Sequence, residues 1–80
     1  MNERIERLSS LKVGQQGNVV SVEGEEGTQR RLLEMGFVRG EQVTVKQLAP
    51  LGDPMELVIK GYHLSLRREE GACILVTVEA

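Results

Sequence analysis

The chain has 80 residues with 10 basic and 12 acidic side chains, a net charge of −2 and one cysteine. That length holds one domain and one core, without room for a deep catalytic cavity. The charge balance lacks the basic excess of a nucleic-acid binder. Cys73 alone forms no internal disulfide and fits a reducing cytosol, and no apolar run approaches the roughly 20 residues that span a bilayer.

The opening residues, MNERIERL, alternate in charge and lack an apolar h-region, so they are not a secretory signal. Residues 1–7 are expected to be frayed or briefly helical, with Ile5 and Leu8 covering one edge of the core. Leu11, Val13, Gly14 and Gly17 read as an irregular approach that turns at the glycines. Asn18 to Glu23 carries Val19, Val20 and Val22, a β-branched cluster that predicts a strand with Val20 and Val22 on one face. Gly24 to Gly27 breaks it.

Thr28 is the expected N-cap of a helix of about two turns, because its hydroxyl can accept from a free amide there. Leu32, Leu33 and Met35 form its apolar face, and Gly36 is placed to end it in a left-handed conformation. Gln42 to Leu48 alternates, with Val43 and Val45 on one face, and predicts a half-buried strand. Two prolines and a glycine mark 49–54 as a loop, in which Asp53 caps its own turn and Pro54 opens the next strand. Met55, Leu57 and Ile59 share the inner face of that strand.

Gly61-Tyr62 fits a two-residue type II′ hairpin turn, pairing Ile59 with Leu64 and Leu57 with Leu66. Arg67 to Glu70 reads as one helical turn. Ala72, Ile74, Val76 and Val78 form one face of the last strand, opposite Cys73, Leu75 and Thr77. The expected fold is therefore mainly β: a small SH3-like five-stranded barrel, one domain over residues 1–80, with a short helix between strands one and two and a helical turn before the last strand.

Catalytic chemistry finds little to use. His63 lies beside the hairpin turn and Cys73 on another strand, with no third group to orient a nucleophile–base pair. His63, Glu69, Glu70 and Cys73 are metal-ligating types, but their spacing matches no metal motif. No glycine run ends in the Lys-Ser/Thr pair of a phosphate loop. Arg30, Arg31 and Arg39, with Arg67 and Arg68, could form a local basic patch. Only Phe37 and Tyr62 could supply the stacking rings that RNA-binding barrels use, and ion pairs with Glu34, Glu69 and Glu70 are the simpler use of these arginines.

Taken in order, the motifs resemble the FeoA family, the small cytosolic component of bacterial ferrous-iron uptake. They are Arg31, Leu32, Met35 and Gly36 at a helix end; Gly40 and Val43; Ala49-Pro50-x-Gly52-Asp53-Pro54; and Leu66-Arg67 before acidic residues and an apolar strand. The likeness runs from Leu8 to Val78, and Gly71 departs from it where the family often has alanine. A similar domain follows the DNA-binding part of iron-dependent repressors; with Met1 close to the domain start and no helix-turn-helix, the free-standing form is expected.

The resemblance implies an SH3-like barrel and a non-enzymatic, cytoplasmic partner of the FeoB-type transporter, a membrane protein with a cytosolic G domain. The expected role is to support or regulate Fe²⁺ transport by docking there, so that the domain meets the inner face of the membrane only through its partner. The expected contact surface is Arg30, Arg31, Phe37, Arg39 and the loop Pro50, Leu51, Gly52, Asp53 and Pro54. No cofactor and no nucleic-acid partner are expected. Direct binding of Fe²⁺ or another transition metal, as a sensor or carrier, is the alternative function, and an RNA-binding small barrel is the second.

Overall fold

The computed structural model describes residues 3–79. Six antiparallel strands form one sheet in the order β1-β6-β2-β3-β4-β5. They are β1 (Glu3–Arg7), β2 (Gln16–Val22), β3 (Gln42–Leu48), β4 (Met55–Ile59), β5 (Tyr62–Leu66) and β6 (Ile74–Glu79). Helix α1 (Glu26–Glu34) joins β2 to β3, and the single turn α2 (Arg68–Gly71) joins β5 to β6. Short 3-10 turns at Leu8–Ser10 and Pro50–Gly52 complete the chain.

The inner face carries the alternating residues. Val43 and Val45 of β3, Met55, Leu57 and Ile59 of β4, Leu66 of β5 and Ile74, Val76 and Val78 of β6 are all buried. Leu8, Leu11, Val19, Leu32 and Phe37 close the same core. Full burial of each such side chain stabilises the fold by roughly 1.5–3 kcal/mol relative to exposure. Two bulges interrupt the ladders, between Val19 and Ser21 in β2 and between Val45 and Gln47 in β3. An extra residue at such a point bends the strand and increases its twist, which helps a small sheet curl.

Several expectations are corrected. Residues 3–7 form a sixth strand, with Glu3 to Arg7 paired against Glu79 to Leu75 of β6. Its Ile5 is exposed rather than covering the core. Met1 and Asn2 lie outside the described residues. In β2 the bulge at Val20 breaks the period of two, so Val19 faces the core with Val22 packed partly against it, in place of the Val20–Val22 pair. Helix α1 starts before Thr28, with Glu25 as its N-cap.

The hairpin between β4 and β5 turns on Lys60 and Gly61, with φ of 54° and 82°. Two successive left-handed residues are the signature of a type I′ turn, not II′. Ile59 therefore pairs with Tyr62 and Leu57 with Leu64. This register differs by two residues from the expected one. A shift of two leaves every side chain on the same face, so the apolar pattern alone does not separate the two registers.

Helix α1 ends as the sequence predicts, and by an identifiable motif. Gly36 has φ 113°. Its N–H donates to the Leu33 carbonyl at 3.0 Å, and the Phe37 N–H donates to the Leu32 carbonyl at 3.1 Å. This is the Schellman arrangement, in which the residue after the glycine folds back over the last turn of the helix. The Tyr62 hydroxyl donates to the Met35 carbonyl at 2.5 Å and so ties this helix end to β5.

Candidate functional site

The surface expected to meet a partner is built on α1, the turn after it and the loop between β3 and β4. Residues on a helix advance by about 100°, so Leu32 and Met35 share a stripe that Leu33 leaves. Leu32 is accordingly buried, and Leu33 is 46% exposed beside Arg30. Sequence reasoning placed Leu33 in the core; the one-residue offset from the Leu32–Met35 stripe was the signal against it. Val38, in the turn after the helix, is also exposed, as is its neighbour Arg39.

Phe37 is not part of this surface. It is fully buried, at 0% exposure, because the helix-ending turn carries it inward over Leu32. Its place two residues past Met35, just after a left-handed glycine, is where an apolar side chain ordinarily packs back on the helix.

Arg31 points the other way from Arg30, across to α2, where its guanidinium forms an ion pair with Glu70. The Glu70 carboxylate also accepts the Arg67 N–H at 3.0 Å. Glu70 thus joins α1 to the start of α2 while satisfying a free amide of that helical turn. Arg31, Asp53, Pro54, Arg67 and Glu70 line one open groove. The structure therefore brings Arg31 and the end of the 50–54 loop together. Arg30 lies on the outer face of α1, and Leu51 at the loop tip.

The loop is fixed at its base. Asp53 does not cap its own turn: its Oδ1 accepts the Arg68 N–H at 3.0 Å, and Arg68 Nη1 donates to the Gly52 carbonyl at 3.2 Å. The Ala49 N–H donates to the Pro54 carbonyl at 3.1 Å, and the Asp53–Pro54 peptide is cis. Replacing Asp53 with alanine leaves the Arg68 amide without its acceptor and costs about 1 kcal/mol. Faster hydrogen exchange at the Arg68 amide, with the β3–β4 ladder unchanged, is the expected observation.

Gly71, the departure from the family pattern, packs α2 against the turn at Leu8–Ser10. A β-carbon there would meet Met55 Sδ at 3.2 Å and the Ser9 nitrogen at 3.4 Å. The glycine lets α2 approach closely, and the flexible Met55 side chain is the part that would yield to alanine.

Among the described residues no group of three or more His, Cys, Asp or Glu side chains is placed to hold a metal ion. His63 is exposed on β5, and the half-buried Cys73 has its sulfur 3.6 Å from the Glu69 carbonyl. No described helix is long and apolar enough to cross a membrane.

A curled six-stranded sheet, one two-turn helix, a charged groove and a pinned surface loop define a small, mainly β, SH3-like domain. The FeoA domain family model matches residues 6–78, and the chain belongs to the FeoA family. A Porphyromonas gingivalis protein described as an Fe(2+) transport protein A/Fe(2+) transporter FeoB fusion is 51% identical over 70 residues. Those residues are 88% of this chain, which spans only 8% of that relative's length.

Among solved structures, a FeoA-like protein from Clostridium acetobutylicum superposes with a TM-score of 0.87 at 35% identity, covering 98% of this chain and 90% of that one. A zinc-complexed FeoA from Stenotrophomonas maltophilia, described as an SH3 domain protein, gives a TM-score of 0.76 at 32% identity, covering 86% of each chain. The mainly β, SH3-like architecture expected from sequence is thus the observed one, with a sixth strand added.

Proposed function

We propose that this protein is a non-enzymatic cytoplasmic adaptor that docks on the cytosolic region of a FeoB-type transporter and supports Fe²⁺ uptake. The observation that carries this reading is the Porphyromonas gingivalis relative, whose name joins a transport protein A to the transporter FeoB in one fusion protein. Fusion holds a domain at high effective concentration beside its partner and needs no strong contact of its own. Wherever the domain is not fused, the contact has to come from its surface. The exposed apolar and basic groups on α1 and the loop at 50–54 are suited to this: Leu33 with Arg30, Val38 with Arg39, and Leu51.

Arg30 is the clean probe of this face, because it is exposed and, unlike Arg31, forms no ion pair among the described residues. Arg30→Glu is expected to fold normally and to bind the transporter's cytosolic region about tenfold more weakly. A change of that size corresponds to about 1.4 kcal/mol. Calorimetric titration of both forms measures it, and equal affinities would remove Arg30 from the contact surface.

A further inference from the structure

Residues 49–52 form a tight turn, closed by the Gly52 N–H donating to the Ala49 carbonyl at 2.7 Å. Pro50 takes the second position. Leu51 takes the third, with φ 72° and ψ 5°. Those are the third-position angles of a type II turn, where glycine or asparagine is called for. A β-carbon in this left-handed region crowds the backbone, and a branched side chain as large as leucine is an outlier there.

The side chain itself does nothing to offset that strain. The Leu51 side chain is 103% exposed, so it contributes no packing to the core. A glycine does stand next in the chain, but one position late for this turn. The loop around Leu51 is nevertheless fixed, by the hydrogen bonds from Arg68 to Gly52 and Asp53 and by the Ala49–Pro54 contact. The result is an apolar knob held in one conformation and raised clear of the surface. Strain kept by an over-determined surrounding structure marks a functional position.

We propose that Leu51 is the anchor of the docking contact and inserts into an apolar socket on the cytosolic surface of the FeoB-type transporter. The proposal rests on the docking reading above and names the residue that carries it. Because the knob is already ordered, little conformational freedom is lost when it is seated. Arg68, exposed and held beneath the turn through Gly52, is placed to meet a carboxylate on the socket's rim. In a second copy of this chain the groove beside the loop sets Pro54, Ser65 and Leu66 among the charged Arg31, Asp53, Arg67 and Glu70, a mainly polar wall for a leucine.

The test titrates wild type, Leu51→Gly and Leu51→Met into the transporter's cytosolic region by calorimetry, with the melting temperature of each form recorded. Leu51→Gly is expected to raise the Kd about tenfold or more, the effect of removing one buried leucine side chain. Its melting temperature is expected to stay level or rise by a few degrees, because glycine accepts the left-handed backbone. Leu51→Met, which keeps an apolar side chain, is expected to retain most of the affinity. A wild-type Kd for Leu51→Gly, with wild type itself binding, overturns the anchor and leaves the docking reading standing. A fall of the melting temperature in Leu51→Gly overturns the anchor by assigning the leucine to the fold. Failure of wild type to bind overturns both readings. Concentration-dependent self-association lost in Leu51→Gly, with transporter binding unchanged, gives the knob to a second copy and overturns the socket.

Discussion

Phe37→Ala is expected to lower the free energy of unfolding by about 3–5 kcal/mol, the range for emptying a buried aromatic site. Phe37 is the largest fully buried side chain among the described residues. It lies where α1 ends, and its amide forms the longer closing hydrogen bond of that turn, to Leu32. Removing the ring therefore opens a cavity beneath the helix and takes away the contact that holds its last turn against the sheet. A helix of nine residues is unstable alone and depends on such packing. A domain of this size has a total stability of about 4–12 kcal/mol, so the variant is expected to be largely unfolded in low concentrations of urea. Denaturation followed by circular dichroism reads the loss. A change under about 1 kcal/mol would mean that the ring is dispensable to the core.

Gly17→Ala is expected to destabilise the fold by about 2–3 kcal/mol, the upper part of the range for overpacking. A β-carbon on Gly17 would stand 2.8 Å from the Thr77 carbonyl oxygen and 3.0 Å from Val76 Cβ and Cγ2. The first of these is backbone and does not rotate away. Relief requires β2 and β6 to separate at the pairing of Asn18 with Thr77, next to the residue that holds β2 to β3 through Val43. Gly17 does not need its glycine for a left-handed backbone, so alanine gains little there beyond reduced freedom in the unfolded chain. Gly14, by contrast, has open space around its missing side chain. Thermal melting of Gly17→Ala, with a drop of roughly 12–18 °C for a domain of this length, checks the expectation. An unchanged melting temperature would show that the two strands separate freely.

The parts of the fold that alternate were legible from residues alone. Val43 and Val45, then Met55, Leu57 and Ile59, then Ile74, Val76 and Val78 repeat at the strand period and face the core. Gly36 stopped the helix because glycine is the residue that turns left-handed without strain. Other parts depend on partners distant in the chain. Strand β1 reads Glu-Arg-Ile-Glu-Arg, which has no apolar face to bury; it exists because β6 offers a backbone edge. The bulge at Val20 hid the true inner residue, Val19, since inserting one residue inverts a period-two pattern.

The site was legible in part for the same reason. The loop at 50–54 announced itself through its prolines and glycine, but its anchoring by Arg68 joins residues 15 and 16 apart. The arginines of α1 looked equivalent, yet a turn of 100° sends Arg31 to Glu70 and leaves Arg30 outward. Phe37 was expected on the contact surface although Gly36, recognised as the left-handed residue, was the signal that the following side chain folds back over the helix. Leu51 had no such signal. Its left-handed backbone follows from the spacing of the turn-closing hydrogen bond, which composition does not reveal.

The most direct test of docking is a titration of the isotope-labelled protein with the transporter's cytosolic region, followed amide by amide in NMR spectra. The expected result is a set of shifts confined to the outer face of α1, the turn at Val38–Arg39 and the loop at 49–54, with Arg30, Leu33, Leu51 and Gly52 among the largest. The β1–β6 edge and His63 should stay unmoved. An absence of shifts at saturating partner, or shifts confined to the β1–β6 edge, would contradict docking through this face.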